Sequence, residues 1–245
     1  MPRQVLVYDG FQECPYLPGQ AARLPLYRQL EPLSPEETDV RFANGERRVG
    51  RALYRTACPT CTACVPLRVL VDHFTPSRSQ RRVWARWKDS GRVEVGPPTC
   101  TDEKLDLYNR HKFDRGLARS DEPIDADGYV GWLVDSCMPT LEMRYYLEDH
   151  LVGVGIVDAG ATALSSVYFF FDPAPRWSKY SPGVYSILRE IELCRETGRQ
   201  HLYLGLYVED CRHLAYKADY LPHEQWLGGA WKRFGRGDLV DGDGG

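Results

Sequence analysis

Three cysteines stand three residues apart at Cys58, Cys61 and Cys64, and Cys14 lies upstream in a Cys-Pro-Tyr-Leu-Pro turn. Four thiolates suffice for a tetrahedral zinc ion or an iron–sulfur cluster; the alternative is four reduced thiols with a structural role. Cys100, Cys137, Cys194 and Cys211 are scattered, and Cys194 falls on the apolar side of a predicted helix as a small core residue. A second group follows in SRSQRRVWARWKD, where Arg78, Arg81, Arg82, Arg86 and Lys88 are interleaved with Trp84 and Trp87. On a helix Arg78, Arg81 and Arg82 share one face. Cations there suit phosphates, while aromatic or guanidinium planes suit unpaired bases. The two tryptophans could equally anchor the helix to a core.

This helix sits in a wider charge anomaly. Residues 41–95 hold twelve Lys and Arg against four acids, whereas the whole chain has a net charge of -3. Eleven of those twelve are Arg, the side chain whose planar fork fits phosphate and carboxylate. A basic patch within an acidic protein suggests a local polyanion site, set against a solvated face that is merely charged. The six histidines show no motif, and no Ser-His-Asp arrangement is suggested.

The chain has 245 residues, 43% hydrophobic and 27% charged, enough for a large buried core and unlike a disordered or fibrous protein. No apolar run approaches 18 residues, and the N-terminus lacks the apolar stretch of a secretory signal. The expectation is a cytoplasmic chain, monomeric and without a membrane partner, whose cysteines do not form a disulfide framework.

The elements that must carry these side chains can be read in turn. Strands are predicted at 3–8, 51–55, 67–72 and 92–95. Helices are predicted from Ser34-Pro35 to Asn44-Gly45 and over 78–89, capped by Ser77. Past Gly96-Pro97-Pro98 the composition changes. Helices are predicted at 102–115 and 125–136, then strands at 142–147, 151–157 and 163–171. Helical spacing of Val184, Ile187, Leu188, Ile191 and Cys194 marks a helix over 183–197, followed by a strand at 201–208 and a short helix over 211–217. The expected organisation is a Cys- and Arg-rich region over 1–96, a second domain over 97–236 and a disordered tail over 237–245. Strands in a meander, then helix, strand and helix, make an α+β pattern. Its order matches the GNAT-like acyltransferase fold, an antiparallel or mixed sheet with flanking helices, against which the first region would pack.

Several segments in order resemble a known family. They are Cys14-Pro-Tyr-Leu-Pro-Gly, Arg47-Arg48-Val-Gly, Tyr54-Arg-Thr-Ala-Cys58-Pro-Thr-Cys61-Thr-Ala-Cys64-Val-Pro, and Phe74-Thr-Pro-Ser77-Arg-Ser-Gln-Arg81-Arg82. Later come Ile187-Leu-Arg-Glu-Ile191-Glu-Leu-Cys194-Arg, Tyr203-Leu-Gly205-Leu-Tyr207 and Ala215-Tyr216-Lys217-Ala218. Together they resemble the arginyl-tRNA–protein transferase family in its bacterial branch, the aspartate/glutamate leucyltransferases of the N-degron pathway. The resemblance implies transfer of leucine from leucyl-tRNA to the α-amine of proteins beginning with Asp or Glu. Similar eukaryotic proteins are associated with an iron–sulfur cluster at corresponding cysteines, although their cysteine pattern is not the same. The chain departs from the family's usual aromatic–Ile segment at Leu206-Tyr207-Val208-Glu209-Asp210, which puts leucine against arginine as the transferred residue in question.

Such a reaction needs no cofactor for its chemistry, because an α-amine with pKa of about 7.7–8.0 is partly neutral at pH 7. It needs the amine held against the ester and donors for the oxyanion. Tyr207 and Lys217, near where acyltransferase-like folds hold the acyl group, are the catalytic candidates. Tyr216 beside them is a substrate contact or a buried anchor. Arg78, Arg81, Arg82, Arg86 and Trp84 are the tRNA candidates, and Arg78, Arg82 or Lys217 would take the acceptor's carboxylate. Two rivals stand. An acetyl-CoA enzyme would need a glycine-rich pyrophosphate cradle, but Trp177-Ser-Lys-Tyr-Ser-Pro-Gly183-Val has one glycine and a proline that lacks an N–H. A non-enzymatic nucleic-acid-binding zinc module would leave the second half unused.

Overall fold

The computed structural model describes residues 3–118 and 120–236. Its centre is an eight-stranded sheet in the order Ala230–Phe234, His223–Leu227, Val65–Leu70, His201–Tyr207, Ala163–Phe171, His150–Ala159, Thr140–Leu147, Gly91–Gly96. Every neighbouring pair is antiparallel except Ala163–Phe171 with His201–Tyr207, which run parallel. A four-stranded sheet of Gln4–Tyr8, Leu26–Gln29, Ala52–Tyr54 and Arg47–Val49 lies beside it, and Phe11–Glu13 pairs with Ala21–Arg23. This is the expected α+β class, with the expected run of meander, helix and parallel strand.

Local signals place the helices. Ser34 caps Pro35–Ala43 and Ser77 caps Arg78–Lys88, each closing a reciprocal capping box with Glu37 or Gln80. The Pro182–Glu196 helix buries Tyr185, Ile187, Leu188, Ile191 and Cys194. Strand alternation divides the core between the two faces of the sheet. Phe169 packs with Trp87, Tyr145 and Leu188 on one side, and Phe170 with Tyr108, Tyr129 and Leu133 on the other. Trp87 stacks on Tyr185 with ring centroids 4.1 Å apart and donates its indole N–H to the Tyr180 carbonyl at 2.8 Å. The Arg78–Lys88 helix is thereby fixed against the Pro182–Glu196 helix.

Some expectations need correction. The helix foreseen at 125–136 is a single turn, Ala126–Tyr129, that widens into a π-helix over Val130–Val134. The hairpin of His223–Leu227 and Ala230–Phe234 was not anticipated, although Gly228 and Gly229 both take positive φ in its two-residue turn. The short strands at 11–13, 21–23, 26–29 and 47–49 also carry too little alternation to be read from sequence. The compositional boundary at 96–97 does not break the sheet, since Val65–Leu70 and Gly91–Gly96 are two of its strands. The tail expected to be disordered, 237–245, lies outside the described residues.

Candidate functional site

The single parallel pair is joined for only three positions, Ala163, Leu164 and Ser165 opposite His201, Leu202 and Tyr203. Beyond them the strands part. Ser166, the first residue past the joined stretch, donates its hydroxyl to Glu190 Oε1 at 3.3 Å. Glu190 comes from the Pro182–Glu196 helix and is wholly buried, and its Oε2 has no hydrogen-bond partner among the described residues. Burial pushes the Glu190 carboxyl up to about 8, opposed by the Ser166 bond. The phenols of Tyr145, Tyr216 and Tyr220 are all pushed up, by burial first and by the nearby Glu190 as well. Sequence reasoning missed Glu190. It stands in the Ile187–Arg195 motif, and its apolar neighbours at helical spacing gave the only hint that an acid there is buried.

On the other parting strand Gly205 takes a φ of +78°, where the register shifts against Leu67. A Cβ at that position would fall on the guanidinium of Arg47, which reaches over from Arg47–Val49. Arg47 Nη1 is buried with no partner among the described residues. Lys217 donates its ammonium to the Leu206 carbonyl at 2.8 Å. Its pKa is driven well below the ordinary lysine value, first by burial and then by the charge of Arg47. Tyr207 is half-buried at the strand end, its hydroxyl makes no hydrogen bond among the described residues, and burial with Glu209 and Asp210 raises its phenol. Tyr216 is 42% exposed as a residue, while its phenol end is buried enough to be pushed up.

The four expected cysteines do converge. The Cys64 thiol is pushed up to about 12 by burial and by Cys14, Cys58, Cys61 and a fifth residue, Cys211. Cys58, Cys61 and Cys64 line a cavity of about 800 Å³ that also reaches Leu206. Yet among the described residues no group of three or more His, Cys, Asp or Glu side chains is disposed to hold a metal ion. The thiols are gathered without being closed around a point.

The basic helix meets its expectations unevenly. Arg78 and Arg82 are exposed, and their side chains make no hydrogen bond or ion pair among the described residues. Arg81 and Arg86 are exposed too, but donate to the carbonyls of Pro76 at 2.7 Å and Lys179 at 2.5 Å. Trp87 is core. Trp84, expected to stack on RNA, is half-buried with its ring centroid 5.5 Å from that of Tyr185. Trp84 and Arg81 do line a second cavity, of about 470 Å³, with Leu188, Ile191 and Arg195. At the Pro182–Glu196 helix N-terminus, Pro182 supplies no N–H for a pyrophosphate.

The mixed sheet thus opens at the one parallel pair among the described residues, with the buried Glu190 carboxyl on one side and the half-buried Arg47 and Lys217 on the other. Residues 12–82 match the model described as "Arginine-tRNA-protein transferase, N terminus", and residues 103–227 match "Arginine-tRNA-protein transferase, C terminus". The chain belongs to the arginine-tRNA-protein transferase family and is an aminoacyltransferase. It is 36% identical over 238 residues to the aspartate/glutamate leucyltransferase of Aeromonas hydrophila, covering 95% of this chain and 97% of that one. With the protein of the same name from Chromohalobacter salexigens it shares 34% over 220 residues, 90% of this chain and 89% of the other. Among solved structures FemX aligns with 94% of this chain and 88% of its own at 9% identity and a TM-score of 0.49, too distant to bear on the chemistry. No helix among the described residues is long and apolar enough to cross a membrane.

Proposed function

We propose that this chain moves leucine from leucyl-tRNA to the N-terminal α-amine of proteins beginning with Asp or Glu, in the cytoplasm, marking them for N-degron degradation. The observation that carries this reading is near-full-length identity with proteins named for that activity. Arginine as the transferred residue is the second reading, favoured by the family's name and by the altered segment at 206–210.

The amine nitrogen attacks the ester carbonyl, the amide bond forms, and the bond to the ribose oxygen breaks. One proton must leave the nitrogen and one must reach the ribose oxygen. Glu190 is the group suited to carry it. A carboxyl titrating at about 8 matches an α-amine of about 7.7–8.0, and matched pKa values favour transfer near neutral pH. At pH 7 about a tenth of Glu190 is ionised, ready to accept, and its protonated form can then donate. Ser166 holds one carboxyl oxygen and leaves the other free for the substrate. Tyr207, with an unengaged hydroxyl at the strand end, is the donor assigned to the carbonyl oxygen as charge develops there. Arg78, Arg81, Arg82 and Arg86 supply cations for the tRNA acceptor arm, with Trp84 at the edge of that face. Cys14, Cys58, Cys61 and Cys64 are the residues that would seat zinc or an iron–sulfur cluster, for which the thiols must draw closer than they stand. No step of the transfer runs through such a group.

The test is transfer of labelled leucine or arginine, supplied on separate tRNAs, to peptides beginning with Asp, Glu, Lys or Ala. Leucine on the Asp and Glu peptides alone is the expected result. Arginine transfer would move the chain to the second reading, and transfer of neither would remove both.

A further inference from the structure

Arg47 and Lys217 come from different parts of the chain to neighbouring points of one strand, the Arg47 guanidinium over Gly205 and the Lys217 Nζ on the Leu206 carbonyl. The Arg47 side chain makes no hydrogen bond or ion pair among the described residues, and its Nη1 is sealed from solvent without a partner. The ammonium of Lys217 has a backbone carbonyl for company, which is neutral. The acids that might serve are already taken. Glu46 pairs with Arg41 at 3.2 Å, and Asp158 pairs with Arg48 at 2.8 Å and accepts the Thr140 hydroxyl at 2.7 Å. The other titratable group that bears on Lys217 is the Cys211 thiol. Asp158 reaches Arg47 only through its field, its contacts being with Arg48 and Thr140. Buried charges are normally paired in contact, so two basic side chains side by side with no anion touching them are a costly feature unless a ligand supplies one.

The backbone is shaped to keep that feature. Gly205 lacks the side chain that would displace the Arg47 guanidinium, and its positive φ is a conformation that other residues rarely adopt. Space for a ligand adjoins it. The cavity of about 800 Å³ is lined by Gly45 and Glu46 beside Arg47, and by Leu206 beside Gly205.

We propose that Arg47 and Lys217 form the subsite that binds the side-chain carboxylate of the acceptor's first residue. This rests on the reading that acceptors begin with Asp or Glu, and it replaces the exposed Arg78 and Arg82 as candidates for the role. A carboxylate placed there meets the fork of Arg47 and the Lys217 Nζ, and its charge favours the protonated lysine that burial and Arg47 otherwise disfavour. An Asn or Gln amide has the same shape but leaves both cations unpaired, so the subsite selects by charge.

Binding of labelled peptides beginning with Asp or Asn, measured by fluorescence anisotropy without tRNA, tests this apart from transfer. The unmodified protein should bind the Asp peptide at least tenfold more tightly than the Asn peptide. Arg47→Gln should erase the difference by weakening the Asp peptide and leaving the Asn peptide unchanged. Arg47→Lys, which keeps the charge but not the fork, should retain part of it, and it reports alone if thermal melting shows Arg47→Gln unfolded. An Asp preference unchanged in a folded Arg47→Gln or Arg47→Lys, or no preference in the unmodified protein, overturns the assignment. Leucyl and arginyl transfer run in parallel separates the two ideas. Charge-selective binding that depends on Arg47 with no leucyl transfer sinks the leucine reading and keeps the subsite. Leucyl transfer without that dependence does the reverse.

Discussion

The arginines of the strand 47–49 and those of the helix 78–88 are alike in sequence and opposite in placement. Arg78, Arg81, Arg82 and Arg86 lie in water, where a charge costs little to hold and acts on a distant polyanion through a field that salt screens. Arg48 is buried, its Nε 2.8 Å from Asp158 Oδ2, with its Nη1 donating to the carbonyls of Asp135 and Gly50. Arg47 next to it has one nitrogen sealed from solvent and no partner. The exposed set is suited to attracting and orienting a nucleic acid, whereas buried cations must be matched atom by atom. One buried match is internal; the other is left for a ligand.

The sharpest way to break this contrast is Asp158→Ala. Removing one partner of a buried pair leaves an uncompensated charge, so the variant should lose about 3–5 kcal/mol, read by denaturant unfolding. Loss within the range of an exposed pair, below about 1 kcal/mol, would mean that Arg48 is not held as described.

Glu190→Gln should lower the rate of leucyl transfer by about 10²–10⁴, the usual worth of a positioned acid–base group. The wild-type rate should rise with pH up to about 8 as the carboxyl and the acceptor's α-amine both lose protons, and the variant should keep only the shallower rise that belongs to the amine. Stability has the opposite slope. The folded pKa lies above the unfolded one of about 4.3, so Glu190 contributes fully below that pH and its contribution falls as pH rises through 8. Melting curves of Glu190→Gln should therefore be flatter with pH than those of the wild type over that window.

Arg78→Ala with Arg82→Ala should weaken aminoacyl-tRNA binding and reduce the slope of log affinity against log salt by about 1–2, as expected for two lost phosphate contacts. Arg81→Ala, whose guanidinium already serves the Pro76 carbonyl, should change that slope less. An unchanged slope in the double variant would remove the helix from the tRNA site. The smallest effect is expected from Trp84→Phe, which keeps the ring beside Tyr185 and should leave stability nearly unchanged. A loss of tRNA affinity there with intact melting would restore Trp84 as a base contact.

What could be read without the fold differs between the two groups of arginines. The basic helix was legible because Ser77 and Gln80 announce its start and helical spacing puts Arg78, Arg81 and Arg82 on one face. The convergence of the four cysteines was legible in part, since three of them share one loop. Lys217 and Tyr207 are marked by position, and the structure puts Tyr207 at the end of its strand and the Lys217 Nζ on the Leu206 carbonyl. Glu190 and Arg47 were not singled out. Nothing local separates a buried acid from the exposed acids around it on a helix, or an unpaired arginine from its paired neighbour.

The amino-acid sequence alone determined the local things: capped helices, the amphipathic 183–197 stretch, the meander, and through its ordered motifs the family. Those depend on residues within a turn or two of one another. The tertiary structure decided which charges are buried, which are partnered, and where the one parallel pair opens. Burial and pairing depend on residues such as Arg47, Gly205 and Lys217 that are far apart in the chain. Their free energies are set by desolvation and by the nearest opposite charge, which no spacing along the chain encodes.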